Sequence, residues 1–187
     1  YDYAGMLDEN SLIVEIGVWE GFSTVIMGAA IQGTQSRIIA IDPIFISGSY
    51  SDKSVNQFYK SSCEKVQNHI RILKLDGYIA LVPDYSENVL SRWDGRLIDF
   101  LYVDGDHHYE AVKKDCEWME YVKPMGYSAF DDWQSAPDPS KAVLEYVGNH
   151  PEWYFLHING SPVPENFPSN ILWDVTILRK RENCASE

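Results

Sequence analysis

The 187-residue chain is poor in cysteine, in positive charge and in long apolar runs. Its three cysteines, Cys63, Cys116 and Cys184, are odd in number and far apart. That spacing argues against a disulfide framework and a cysteine-based zinc site, and it predicts a reducing, cytoplasmic setting. Lys and Arg total 15 against 28 Asp and Glu, giving a net charge of −13. Such a chain repels phosphate backbones and anionic lipid, so neither a nucleic acid nor a membrane is expected as a partner. No apolar run approaches the roughly 18–20 residues of a membrane-spanning helix. The longest, Leu12 to Val18, is interrupted by Glu15. The opening Tyr-Asp-Tyr-Ala-Gly has no basic leader, and no signal peptide is expected. The first strand begins by Leu12, so a fragment or a naturally short version of a larger fold is expected. The length predicts one domain over residues 1–187, at roughly 100–200 residues per domain. A single glycosylation sequon, Asn159-Gly160-Ser161, is of a kind common by chance.

Strands and helices alternate along the chain. Leu12 to Ile16 is an apolar run stopped by Gly17, as in a buried parallel strand. A helix is predicted over Phe22 to Ile31, with Gly33 after it. Arg37 to Ile41 is a second strand, and the Ser- and Gly-rich stretch 44–56 is a loop. A helix over Gln57 to Asn68, a third strand over Ile70 to Leu75 and a partly helical stretch from Tyr78 to Trp93 follow. Leu97 to Val103 is a fourth strand, Tyr109 to Val122 a helix, and Tyr127 to Phe130 a fifth strand. A short helix over Lys141 to Val147 precedes two late strands, Tyr154 to Ile158 and Ile171 to Leu178. Between these lies a Pro-containing loop, Gly160 to Asn170. Repeated strand-then-helix units predict an open parallel sheet with helices on both faces.

In such sheets a ligand sits beyond the carboxyl ends of the strands. The residues predicted there are Gly17 to Gly21, Asp42, Asp76, Asp104 to His107, and Asp131-Asp132. Aspartate also favours turns and helix caps, so part of this pattern is expected without any ligand. A dinucleotide fingerprint needs glycines where Trp19 and Phe22 stand. A bulky Trp19 would crowd a pyrophosphate and Glu20 would repel it, which disfavours NAD and FAD. No Gly-x-x-x-x-Gly-Lys-Ser/Thr loop is present. Glu15 and Glu20, beside a glycine turn, suit a ligand with positive charge and an amine, such as S-adenosyl-L-methionine. Asp42, about twenty residues further on, stands where an acid commonly accepts ribose hydroxyls. A glycine turn that serves geometry alone is the competing reading.

The fourth and fifth strands should be neighbours, which would bring Asp104, Asp131 and Asp132 together. Three uncompensated carboxylates repel one another, and a divalent cation removes that penalty. An all-oxygen set favours Mg²⁺ or Ca²⁺ over Zn²⁺. His107, three residues after Asp104, is placed to act as a general base on a hydroxyl. A solvent-facing histidine at a helix start is the plainer alternative, and His108 is its neighbouring competitor. Asp106 reads as a cap rather than a ligand. Trp133 fits either a pocket wall or the core, while Trp153, Tyr154, Phe155 and Trp173 read as core.

Glu15-Ile-Gly-Val-Trp-Glu-Gly-Phe-Ser23, Asp104-Gly-Asp-His107 and Asp131-Asp132-Trp133 together resemble the motifs of class I S-adenosylmethionine-dependent methyltransferases. More narrowly, they resemble the metal-dependent macrocin/mycinamicin-type sugar O-methyltransferases. Catechol-type methyltransferases and cephalosporin hydroxylase-like proteins are cousins. The resemblance covers Leu12 to Trp133. It implies a Rossmann-like doubly wound α/β sheet, mostly parallel with an antiparallel late strand. It implies that Glu15, Gly17 and Gly21 line the methionine part of the cofactor, that Asp42 holds the ribose, and that Asp76 and Gly77 lie near the adenine. Asp104, Asp131 and Asp132 would bind Mg²⁺ or another divalent cation, with His107 as the base. The acceptor would be a sugar or other small polyhydroxylated molecule, and a homo-oligomer is compatible with the family. Relatives often carry N-terminal helices that this chain is expected to lack. A non-catalytic cofactor-binding or scaffold member of the same fold is the alternative function. A metal-dependent hydroxylase is disfavoured because no two-His-one-carboxylate set is seen.

Overall fold

The computed structural model describes residues 1–45, 53–133, 135–157 and 175–182. Seven strands form one sheet: β1 (Leu12–Ile16), β2 (Arg37–Ile41), β3 (Ile79–Val82), β4 (Ile98–Val103), β5 (Val122–Phe130), β6 (Trp153–His157) and β7 (Thr176–Lys180). Their order is β3-β2-β1-β4-β5-β7-β6. The pairings from β3 across to β5 are parallel. β7 runs antiparallel to both of its neighbours. The sheet is therefore mostly parallel with one reversed late strand, as the family resemblance implies.

The helices are α1 (Asp2–Gly5), α2 (Phe22–Ala30), α3 (Lys53–Ile72), α4 (Ser86–Ser91), α5 (Tyr109–Asp115) and α6 (Pro137–Asn149). Alternation along β1 sends Ile13 to the face covered by Met27 of α2, Ile31 just after it, and Val66 and Ile70 of α3. It sends Val14 and Ile16 to the opposite face, among Val112 of α5, Ala142 and Val143 of α6, and Trp118. Burial on both sides explains why these strands read as nearly continuous apolar runs. Trp133 and Trp153 also belong to this second cluster, so the core reading holds for both. Trp173, Cys184, the sequon and the Gly160 to Asn170 loop lie outside the described residues. Among the described residues, no helix is long and apolar enough to cross a membrane.

Several sequence assignments shift. The expected third strand over Ile70 to Leu75 is instead the end of α3 and the turn after it. Ile70 and Leu75 are buried but Ile72 and Leu73 between them are exposed, so the apparent apolar run is the end of a helix and a turn rather than a buried strand. Lys74, at φ 57°, closes the helix in the left-handed region. The real third strand is Ile79–Val82, within the stretch expected to be partly helical. The predicted Tyr109 to Val122 helix becomes α5 followed by a 3₁₀ helix over Cys116–Tyr121. β5 starts at Val122 and carries Pro124 and Gly126 within it. Its register with β4 shifts between Ile98 and Phe100, and Met125 sits at φ 66°. Such an irregularity is where a strand tolerates proline and glycine.

The winding direction reverses between β1 and β4. Their carboxyl ends open a crevice at that switch point, where ligands bind in doubly wound sheets.

Candidate active site

The turn after β1 is shaped by the neighbouring strand. A Cβ on Gly17, at φ +87°, would stand 2.0 Å from the Asp104 carbonyl oxygen. Only glycine lets the exits of β1 and β4 pass this closely. Gly21, at φ 78°, caps α2 and lies against Val66. Asp42, at the end of β2, accepts the Val18 N–H at 2.7 Å and the Trp19 N–H at 2.9 Å on one oxygen. Its other oxygen accepts the Ile44 N–H at 2.8 Å. The carboxylate expected to hold a ribose thus also clamps the glycine turn, and it holds Trp19 in a left-handed conformation at φ 45°.

Glu15 is fully buried on the α2 side of the sheet. One of its oxygens accepts the Ser23 hydroxyl at 2.5 Å, and the other has no hydrogen-bond partner. Burial pushes its carboxyl up to about 7, against the pull of the Ser23 hydroxyl.

Asp104 ends β4 and Asp132 follows β5, and the pairing of these strands brings the two carboxylates together. His107 lies between them. Its Nδ1 stands 2.7 Å from Asp132 Oδ2, and its Nε2 stands 3.5 Å from Asp104 Oδ1. Nε2 is buried with no hydrogen-bond partner. Asp104, His107 and Asp132 offer ligand atoms that all lie within 4.8 Å of one another. Burial, then the nearby Asp131 carboxylate, pushes the Asp104 carboxyl up to about 7, with His107 opposing the shift. Asp104 and Asp132 converge with His107 between them, and Asp131 lines the same two cavities, its carboxylate close enough to raise that of Asp104. Asp106 accepts the His108 N–H at 3.0 Å in the turn before α5; the residue at the N-cap is His108, so Asp106 is not the cap the sequence suggests.

Two cavities meet at this cluster. The larger, about 1030 Å³, runs from Gly17 and Asp42 past Tyr85 and Ser86 to Asp115. The smaller, about 490 Å³, is bounded by Trp19, Phe22, Tyr102 and Val175. Val18, Trp19, Asp104, Asp131 and Asp132 line both.

A family model describing a methyltransferase domain matches residues 14–133, which hold the glycine turn, β4, β5 and the acid cluster. The chain belongs to this family. Among curated proteins, uncharacterized protein R132 of Acanthamoeba polyphaga mimivirus is 32% identical over 141 residues. The match covers 73% of this chain, and the chain spans only 59% of that relative's length. Among solved structures, an rRNA methylase from Streptococcus thermophilus superposes with a TM-score of 0.66 at 16% identity, covering 97% of this chain and 93% of that one. The O-methyltransferase NovP also gives 0.66, at 18% identity over 92% of this chain and 72% of that one. The O-methyltransferase TomG from Streptomyces achromogenes, in complex with SAM, gives 0.64 at 13% identity, covering 93% of this chain and 74% of that one. At these identities the likeness is one of fold, and the fold is that of class I methyltransferases.

In this methyltransferase domain the expected adenine residues do not reach the crevice. Asp76 and Gly77 precede β3, at its amino end, and line neither cavity. The reason is the misplaced third strand: the true carboxyl end of β3 delivers Asp84, Tyr85 and Ser86 instead. Tyr85 and Ser86 line the larger cavity. Ile79 to Val82 followed by Pro83 and Asp84 was a readable strand-then-acid signal. Asp115 on α5 was also missed. It is buried, receives the Ser86 hydroxyl, and lines the larger cavity, where burial pushes its carboxyl up to about 7. Nothing in its helical sequence context distinguishes it from a surface acid.

Proposed function

We propose that the methyltransferase domain is an S-adenosylmethionine-dependent O-methyltransferase acting on a hydroxyl of a sugar or other small polyhydroxylated molecule. The observation that carries the reading is the pair of cavities meeting at Asp104, Asp131 and Asp132. One is long enough to take a nucleoside-linked donor and the other is open for an acceptor. Gly17 and the turn after it would carry the methionine end. Glu15 is fully buried and lines neither cavity, so it would act on the donor only through the turn, by accepting the Ser23 hydroxyl at the start of α2. Tyr85 and Ser86 replace Asp76 and Gly77 as candidates for the adenine end.

The residues at the cluster fit a divalent cation. His107 Nε2 is a buried nitrogen with no hydrogen-bond partner, beside an Asp104 carboxylate whose charge burial and Asp131 disfavour more than His107 offsets. Asp104, His107 and Asp132 would hold it, with Asp132 also fixing the imidazole through Nδ1. An imidazole in the set moves the preference from Mg²⁺ towards metals such as Mn²⁺. When bound, the cation would lower the pKa of an acceptor hydroxyl. Because Nε2 points at the cluster, His107 serves better as a ligand than as the general base, and the proton passes to Asp131. The hydroxyl oxygen bonds to the donor methyl, and the breaking C–S bond leaves its electron pair on sulfur as S-adenosylhomocysteine. Positioning supplies much of the acceleration, since the sulfonium is already activated. The S. thermophilus rRNA methylase shares the fold. A net charge of −13 nevertheless favours a small neutral acceptor over a phosphate backbone.

Titration calorimetry with S-adenosylhomocysteine and then Mn²⁺ or Mg²⁺ tests both parts. Cofactor-product binding is expected, with cation heat that disappears in Asp104→Asn and His107→Ala. Absence of product binding overturns the transferase reading. Product binding without cation heat removes the cation from it.

A further inference from the structure

The smaller cavity has an unusual wall. Trp19 is 64% exposed and Phe22 is 78% exposed, and both face it from the turn and the start of α2. Large aromatics left in water forgo the burial that makes them favourable. Trp19 also adopts a left-handed backbone, at φ 45°, which is unfavourable for a non-glycine residue. The strain is held in place: the buried Asp42 carboxylate grips the Trp19 and Val18 N–H groups and fixes the turn that presents the indole. A strained, clamped aromatic at the mouth of a site points to ligand contact rather than to packing.

The charge around the cavity narrows the ligand. Asp104, Asp131, Asp132 and Glu20 line it, and no Lys or Arg is among its described lining residues. Glu20 is paired with Lys65 from α3. A divalent cation held by Asp104, His107 and Asp132 would offset only part of this charge, so a phosphate or carboxylate near the accepting hydroxyl would still meet Asp131 and a net negative wall. Hydroxyl groups can donate hydrogen bonds to those same carboxylates, and the apolar face of a ring can lie against the indole and phenyl groups.

We propose that Trp19 and Phe22 form the acceptor platform, and that the acceptor is a hydroxylated ring carrying no negative charge next to its accepting hydroxyl. This rests on the transferase reading above. A saccharide ring and a catechol ring share the required chemistry. Phe22 is the residue to test, because it lines only the smaller cavity and its exposure makes truncation harmless to the fold.

The experiment is saturation-transfer NMR on the full chain, saturated with S-adenosylhomocysteine and Mn²⁺. The probes are methyl α-D-mannopyranoside, catechol, and their anionic counterparts mannose 6-phosphate and 3,4-dihydroxybenzoate. At least one neutral probe should bind, and at least tenfold more tightly than its anionic partner. Phe22→Ala should weaken it at least tenfold and Phe22→Tyr should restore it, with the product's affinity held within twofold in both variants. A response to the glycoside alone assigns the saccharide source, and a response to catechol alone the aromatic one. Equal binding of neutral and anionic probes, indifference to Phe22→Ala, or no probe binding to the product-loaded protein overturns the platform. Failure of the product itself to bind overturns the underlying transferase reading instead, and the platform with it.

Discussion

Replacing Gly17 with alanine tests how tightly the two central strand exits are locked together. The new Cβ would stand 2.0 Å from the Asp104 carbonyl oxygen, 2.4 Å from its carbon and 2.8 Å from Gly105 Cα. An ordinary carbon contact is roughly 3.5–4.0 Å, so the backbones would have to part by more than an ångström. They resist, because Gly17 N–H donates to the Ile41 carbonyl at 2.9 Å and Asp104 N–H to the Ile16 carbonyl at 2.8 Å. The left-handed φ adds about 1–2 kcal/mol and the overpacking about 1–3 kcal/mol. The sum is about 2–5 kcal/mol, and at about 2–4 °C per kcal/mol for a chain of this length the melting temperature should fall by about 4–20 °C. Because the clash is with the backbone of Asp104, the folded variant should also bind divalent cation more weakly than wild type. Gly77→Ala is the control: its Cβ meets nothing within 4 Å and its φ is not left-handed. It should leave both the melting temperature and S-adenosylhomocysteine affinity unchanged. Thermal melts by circular dichroism and calorimetry on both variants decide the matter. A Gly17→Ala protein melting within a degree or two of wild type would refute the reasoning.

Two other perturbations follow from burial. Asp115, buried and holding the Ser86 hydroxyl, has its carboxyl pushed up to about 7. Between about pH 4 and 7 the native state keeps a proton that the unfolded chain has released, so this group lowers stability as pH rises through that window. The rise to about 7 sets a ceiling of about 4 kcal/mol on this effect. Urea titrations should show Asp115→Asn gaining on wild type steadily from pH 4.5 to pH 8, and a pH-independent difference would count against it. Trp133 is 8% exposed and packs edge-on against Phe155 at 5.7 Å between ring centroids. Trp133→Ala should cost about 3–5 kcal/mol of unfolding free energy while leaving cofactor-product affinity intact in the folded fraction, and weakened product binding with normal stability would return it to the pocket wall.

Legibility from sequence followed the physics of each element. β1, β2 and β4 were readable because buried parallel strands carry nearly continuous apolar runs, broken here only by Glu15 and Asp99, and bounded by Gly or Asp. Their carboxyl ends gave Gly17, Asp42 and Asp104 directly. The third strand was misplaced because the end of α3 happens to concentrate Ile70, Ile72, Leu73 and Leu75. Only their burial shows that Ile72 and Leu73 face water. That one error moved the expected adenine site to Asp76 and Gly77, at the wrong end of β3. β5 was read short because Pro124 and Gly126 suggest a break, whereas an irregular register with β4 accommodates both.

Local pattern alone determined the α/β class, the switch-point crevice and the identity of most acids at its rim, because apolar period and strand-ending residues are properties of neighbours in the chain. Which side chains share a point in space was decided by tertiary structure. The pairing of β4 with β5 set His107 between Asp104 and Asp132. The passage of β1 against β4 made Gly17 a steric necessity, and the reach of Asp42 across to Trp19 turned a ribose candidate into a clamp on the turn. These are contacts between residues distant in sequence, and no spacing along the chain encodes the distances between them.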